Sequence, residues 1–267
     1  ERLFLLLGNP GVITGVYDPD HPSKIRWARN LEFPFLTQGA FRTRPLGMIQ
    51  ANGSLFFSVD DTIYRRIDGP QPTWEIVMRL GDDIDTDVGG VRGLTAVAHP
   101  NGEGESLLFV WAPGGQSTSQ IMRLDPNGAG GYTRANEVSI LDLMSKRLDV
   151  RVSYTLAAHN MMYPVKHPTT GETIHIIGFQ GNIHDKDDLR WKGSALYGGA
   201  MYAIRHHDGS YTLHEVNNAF RKGRTPLVSP RTFCLSPFGD NRLFIAGHDS
   251  SNRISDDLAW VFQAPLD

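Results

Sequence analysis

Five short apolar runs, at residues 3–7, 55–59, 107–111, 173–179 and 243–246, are almost unbroken by polar side chains. A strand with one wet face alternates apolar and polar residues, whereas a strand covered on both faces has no reason to. Centred on Leu5, Phe57, Phe109, Ile176 and Phe244, the runs recur 52, 52, 67 and 68 residues apart. Each run therefore reads as the inner strand of its own sheet, with other sheets against both faces.

Four of the runs share a layout of apolar strand, turn, apolar run, polar loop and outer strand. The first unit has a strand at 46–49, a turn at Asn52-Gly53, its apolar run, a strand at 62–69 and a fourth at 74–80. The second has a strand at 94–97, a turn at 100–104, its run, a strand at 120–126 and an outer strand near Tyr132. The third begins near Leu156, turns at 169–171, continues through 173–179 and resumes at 200–205 and 211–216. The last has strands at 232–235, 243–246 and 258–262, with a turn at 239–241. An incomplete unit opens the chain, with 3–7 as its second strand and two more strands between 12 and 31. The expectation is an all-β chain folded as a five-bladed β-propeller of four-stranded antiparallel blades, one domain over residues 1–267. A β-sandwich of similar length is the alternative, but its strands would alternate. The one helical candidate is 140–148, with Ile140, Leu141, Met144 and Leu148 on one face.

Three motifs resemble those of the β-propeller superfamily and, more loosely, of bacterial propeller proteins of unassigned function. They are Ile63-Tyr64-Arg65-Arg66-Ile67-Asp68-Gly69 with Trp74, Arg92-Gly93-Leu94-Thr95, and residues 231–238 followed by Gly247-His248-Asp249. The resemblance covers most of the chain from residue 46 onward and implies the fold, since none of the motifs is a catalytic signature. Five-bladed glycosidases of the arabinanase type carry an early Asp-Pro-aliphatic motif and later acidic pairs; Asp18-Pro19-Asp20 matches only superficially.

Composition narrows the chemistry. A formal charge of −3 gives no global footprint for nucleic acid, and no apolar stretch approaches the roughly 20 residues of a membrane helix. Cys234 is the single cysteine and lies in an apolar segment, so no internal disulfide can form and an inert thiol is expected. The near-neutral surface, the lone thiol and a first residue other than Met favour secretion or a periplasmic location, and a monomer is expected. The dinucleotide GxGxxG, the Walker lysine loop and the G-x-S-x-G elbow are all missing. The sequon at Asn52 is better explained by a tight turn.

In a propeller the first strand of each blade begins, and the second ends, on one face, so both sets of loops meet at one mouth. The residues entering first strands are Arg44, Arg92, His159 with Asn160, and Arg231. Those leaving second strands are Asp60 with Asp61, Trp111, Gln180 with Asn182 and His184, and His248 with Asp249. Guanidinium forks bind carboxylate or phosphate, so Arg44, Arg92 and Arg231 are candidate anion binders; pairing with Asp60, Asp61 or Asp249 to seal the channel is the alternative. Asn160, Asp60 and Trp111 complete the candidate binding set. His159, His184 and His248 come from three segments and could hold zinc, or one could act as a general base. Asp83, Asp85 and Asp87 alternate as in a calcium loop, but Val88 and Leu94 break the EF-hand pattern. His175 reads as a satisfied core residue, and His206-His207 as part of a hairpin turn.

The functional expectation is a hydrolase or lyase acting on a small polar, anionic or sugar-like molecule at the mouth. The arginines would anchor the substrate, His159 or His248 would move the proton, Asp249 would orient the histidine, and a divalent metal, zinc or calcium, is a possible cofactor. A carbohydrate-binding lectin or an interaction scaffold is the alternative. Lectin propellers usually repeat one site in every blade, whereas Asp60, Trp111, Gln180 and His248 occupy corresponding places here.

Overall fold

The computed structural model describes residues 2–7, 11–18, 20–21, 24–34, 45–81, 90–112, 116–117, 119–148, 154–156, 161–166, 171, 173–183, 197–215, 228–236, 238, 240, 242–249 and 259–265. They form an all-β structure of five antiparallel sheets with one helix. The first sheet holds β1 (Arg2–Leu7), β2 (Gly11–Tyr17) and β3 (Ile25–Trp27) in that order, with β4 (Phe33–Pro34) also paired to β2. The second runs β5 (Pro45–Ala51), β6 (Ser54–Val59), β7 (Thr62–Ile67) and β8 (Thr73–Arg79). The third runs β9 (Gly90–Ala98), β10 (Glu105–Ala112), β12 (Gln120–Pro126) and β13 (Tyr132–Ser139); the short β11 (Gln116–Ser117) leaves it. Helix α1 (Ile140–Leu148) follows at once, over the residues expected to be helical, with Ile140 fully buried. The fourth sheet pairs β15 (Met161–Lys166), β16 (Thr173–Ile183), β17 (Tyr197–Arg205) and β18 (Tyr211–Glu215). There β14 (Tyr154–Leu156) pairs with the far end of β16 and with β11. The fifth holds β19 (Val228–Leu235), β20 (Arg242–Asp249) and β21 (Ala259–Pro265).

Neighbouring residues of one strand serve different interfaces, which is why the apolar runs do not alternate. Phe57 and Val59 pack with Val12, Phe4 and Phe33 of the first sheet, while Phe56 packs with Leu94, Leu107 and Phe109 of the third. Leu107 and Phe109 face the second sheet; Leu108 and Val110 face Met162 and Ile177 of the fourth. Ile176, beside Ile177, turns instead to Leu243 and Ile245 of the fifth. Period-2 alternation of the side chains thus distributes one run between two cores, and β10 has Leu107, Leu108, Phe109 and Val110 all fully buried.

The first strands touch in sequence order, β1 to β5, β5 to β9, β9 to β15 and β15 to β19. Glycines permit the closest of these approaches. A Cβ on Gly47 of β5 would lie 2.4 Å from the Leu94 backbone nitrogen, and one on Gly93 of β9, at φ +70°, would lie 2.2 Å from the Met162 carbonyl oxygen. Among the described residues the first and last sheets do not close on each other.

Two expectations are corrected. The run at 3–7 is not a central strand: β2 takes that place, Val12 packs fully buried against Phe57, and Leu5 is 43% exposed. Composition misled because the side of β1 carrying Leu5 has no described sheet packed on it. The fourth sheet likewise starts from Met161 rather than near Leu156, which sits at the opposite end of β16.

Candidate functional site

The end at which first strands begin can be followed in detail between the second and third sheets. Asp60 and Asp61 form the two-residue β6–β7 turn, with Asp60 at φ +49°, a left-handed conformation that Asp tolerates better than most residues. The Asp60 carbonyl accepts from the Val91 N–H at 2.7 Å. Gly90, at φ +124°, makes this approach possible, since a Cβ there would lie 2.6 Å from the same oxygen. Trp111 sits opposite Val91 in the ladder and Arg92 opposite Val110, so Asp60, Arg92 and Trp111 lie at one end of these sheets, with Trp111 on the face toward the second sheet and Arg92 on the Val110 face of β9. Arg92 is only 3% exposed, whereas Asp60 and Trp111 are half-buried. Trp111 packs against the core between these sheets, which gives its ring a structural task. Close by, burial raises the pKa of the Tyr64 hydroxyl; Arg79 opposes the rise, and Asp61 and Asp60 add to it.

The fifth sheet repeats the arrangement in its backbone. Asp249 pairs with Val228 and His248 with Ser229, two residues before Arg231 on β19. Three first strands carry one extra, unpaired residue near this end: Leu46 in β5, Gly93 in β9 and Arg231 in β19. Such bulges re-aim the chain and recur beside functional sites. Sequence reasoning missed them, although Gly47, Gly93 and Pro230 are the residue types that mark irregular strands.

Arg44, His159, Asn160 and His184 lie outside the described residues, as do Asp83, Asp85 and Asp87. Arg231, His248 and Asp249 are located by backbone register alone. Among the described residues no three His, Cys, Asp or Glu side chains form a group able to hold a metal ion.

The opposite end, where first strands finish, is tied together by polar contacts. Asn52, at the tip of the β5–β6 turn, donates through Nδ2 to the Glu105 carbonyl at 2.7 Å, and its Oδ1 accepts from the Glu105 N–H at 2.8 Å. Glu105 Oε2 in turn accepts from the Asn52 N–H at 2.9 Å. His175 is buried, as expected, and its Nε2 donates to the Ala96 carbonyl at 2.9 Å. His206 begins the β17–β18 turn, as expected. Behind it, Glu137 of β13 accepts from Arg205 of β17, Arg123 of β12 and the Tyr211 hydroxyl of β18.

No family model matches the sequence, and comparison with curated proteins finds no match.

Proposed function

We propose that the five sheets are the blades of a β-propeller, and that the end where their first strands begin binds a small polar molecule that is anionic or sugar-like. The observation that carries this reading is the burial of Arg92 at the end where first strands begin, the end that also holds Asp60 and Trp111. An arginine 3% exposed at that end suits an anion or a hydroxyl-rich ring better than an extended surface partner. The register of the fifth sheet supports it, because Arg231, His248 and Asp249 share that sheet's corresponding end. The sequential contact of the first strands supports the radial order of blades.

On this reading Arg92 and Arg231 hold the negative or polar group of the ligand. His248, with Asp249 to orient it, moves the proton in a hydrolysis or elimination. The corresponding positions Asp60, Trp111, Gln180 and His248 differ among the four sheets that carry them, which favours one shared site over a site repeated in each blade. The test is a turnover screen of sugar acids, sugar phosphates and their neutral parents on wild type and on His248→Ala. Turnover of an anionic sugar that the variant loses supports the enzyme; saturable binding with no turnover supports a lectin or receptor.

A further inference from the structure

A cleft of about 650 Å³ opens between the third and fourth sheets, at the end opposite the site proposed above. The β9–β10 hairpin bounds it on one side, and the start of β16 with the β17–β18 turn on the other. Its size falls in the range of small-molecule sites. Val97 and Ile204 are buried within it and Ile174 half-buried, whereas Ala98, Glu105, His206 and His207 are exposed. Apolar surface therefore lies inside and polar groups stand at the rim.

The cationic group is built into the fold. The Arg205 side chain is 10% exposed, and Glu137 holds it by two bonds, from Nε at 3.0 Å and from Nη2 at 2.6 Å. Its Nη1 reaches the His206 carbonyl at 3.4 Å, long for a hydrogen bond. Glu137 thus fixes the fork of a residue that itself lines the cleft. The exposed imidazoles of His206 and His207 stand on the adjoining turn. Glu105 is the one carboxylate among the described lining residues, and the Asn52 N–H already engages its Oε2.

We propose that this cleft binds a small amphipathic anion, with its carboxylate at Arg205 and the His206-His207 turn and its aliphatic tail over Val97, Ile174 and Ile204. The cleft shares no residue with the site at the other end, so either proposal stands if the other fails. Calorimetry on the full chain with hexanoate, hexan-1-ol and hexylamine tests it. Hexanoate is expected to bind at least about tenfold more tightly than the alcohol or the amine, as loss of a charge-assisted hydrogen bond predicts. Ala98→Trp fills the cleft from an exposed strand position without touching the Arg205–Glu137 pair. It is expected to abolish hexanoate binding and leave the thermal midpoint unchanged. His207→Glu, also at an exposed position, is expected to weaken hexanoate by about fivefold or more. Absence of hexanoate binding at about 10 mM, equal binding of hexanol, or unchanged hexanoate affinity in a folded Ala98→Trp variant would overturn the proposal.

Discussion

Glu137 on β13 and Arg205 on β17 come from different sheets, yet their side chains are joined by hydrogen bonds of 2.6 and 3.0 Å. The Glu137 side chain is 8% exposed and also receives Arg123 at 3.1 Å and the Tyr211 hydroxyl. Removing the carboxylate would leave two arginines inside the boundary without it. Glu137→Ala is therefore expected to cost about 3–5 kcal/mol, read as a lower urea midpoint with an unchanged slope. A loss below about 1 kcal/mol would mean that the pair is solvated and contributes little.

The same network sets the acid limit of stability. Burial alone would raise the Glu137 carboxyl, but bonds from Arg205 and Tyr211, then the charges of Arg205 and Arg123, outweigh it and hold the group below 4.5. Asp125 follows the same pattern: burial is overcome by bonds from Arg123 and Ser106 and by the Arg123 and His99 charges, and the group lies below 3.8. A depressed folded value stabilises the protein above the unfolded value, and that stability is lost as pH falls through the folded one. Unfolding free energy is thus expected to be flat on this account above about pH 5 and to fall steadily below it, less steeply in Glu137→Gln.

At the alkaline limit the sign reverses. Burial pushes the Tyr202 hydroxyl up to about 12 from 10.0, so its contribution is complete below pH 10 and lost as pH rises toward 12. The Tyr211 hydroxyl is raised too, by burial first and then by Glu137. Thermal midpoints measured between about pH 9 and 12 should fall, and Tyr202→Phe should flatten part of that fall.

Gly93 and Gly53 both have positive φ, +70° and +73°, but only Gly93 has backbone in the way of a Cβ. Gly53→Ala should cost about 1 kcal/mol, the penalty of the left-handed conformation. Gly93→Ala adds a collision with Met162 and should cost about 3 kcal/mol or more, or prevent folding. Equal midpoints for the two variants would contradict the close approach of β9 and β15.

Phe57 is fully buried among Phe33, Tyr64 and Trp74, whose ring centroids lie 5.4, 5.0 and 4.6 Å from its own. Phe57→Ala is expected to cost about 3–5 kcal/mol, while Leu5→Ala should cost less than about 1. Comparable losses would restore residues 3–7 to a central strand.

The unbroken runs at Phe56-Phe57 and at 107–110 were legible because burial on both faces removes alternation. Residues 3–7 show the limit of the rule, since composition records hydrophobicity and not which neighbour covers it. The Arg123–Glu137–Arg205 network was invisible for a related reason. Its members are 14 and 68 residues apart, and a charged residue in a strand reads as solvent-facing until a second sheet is laid over it. At the candidate site, the order of first and second strands foretold that Asp60, Arg92 and Trp111 share an end. The bulges at Leu46, Gly93 and Arg231 were missed because a one-residue register shift leaves no periodic trace, and the glycines and proline beside them were the one signal on offer.

The most direct test of the functional account is calorimetric titration of wild type and Arg231→Gln with galacturonate, glucose 6-phosphate and neutral glucose. The account predicts saturable binding of an anionic sugar, with glucose weaker, and a loss of about tenfold or more in the folded variant. No binding of either anion, or an affinity that the Arg231 substitution leaves unchanged, would contradict it.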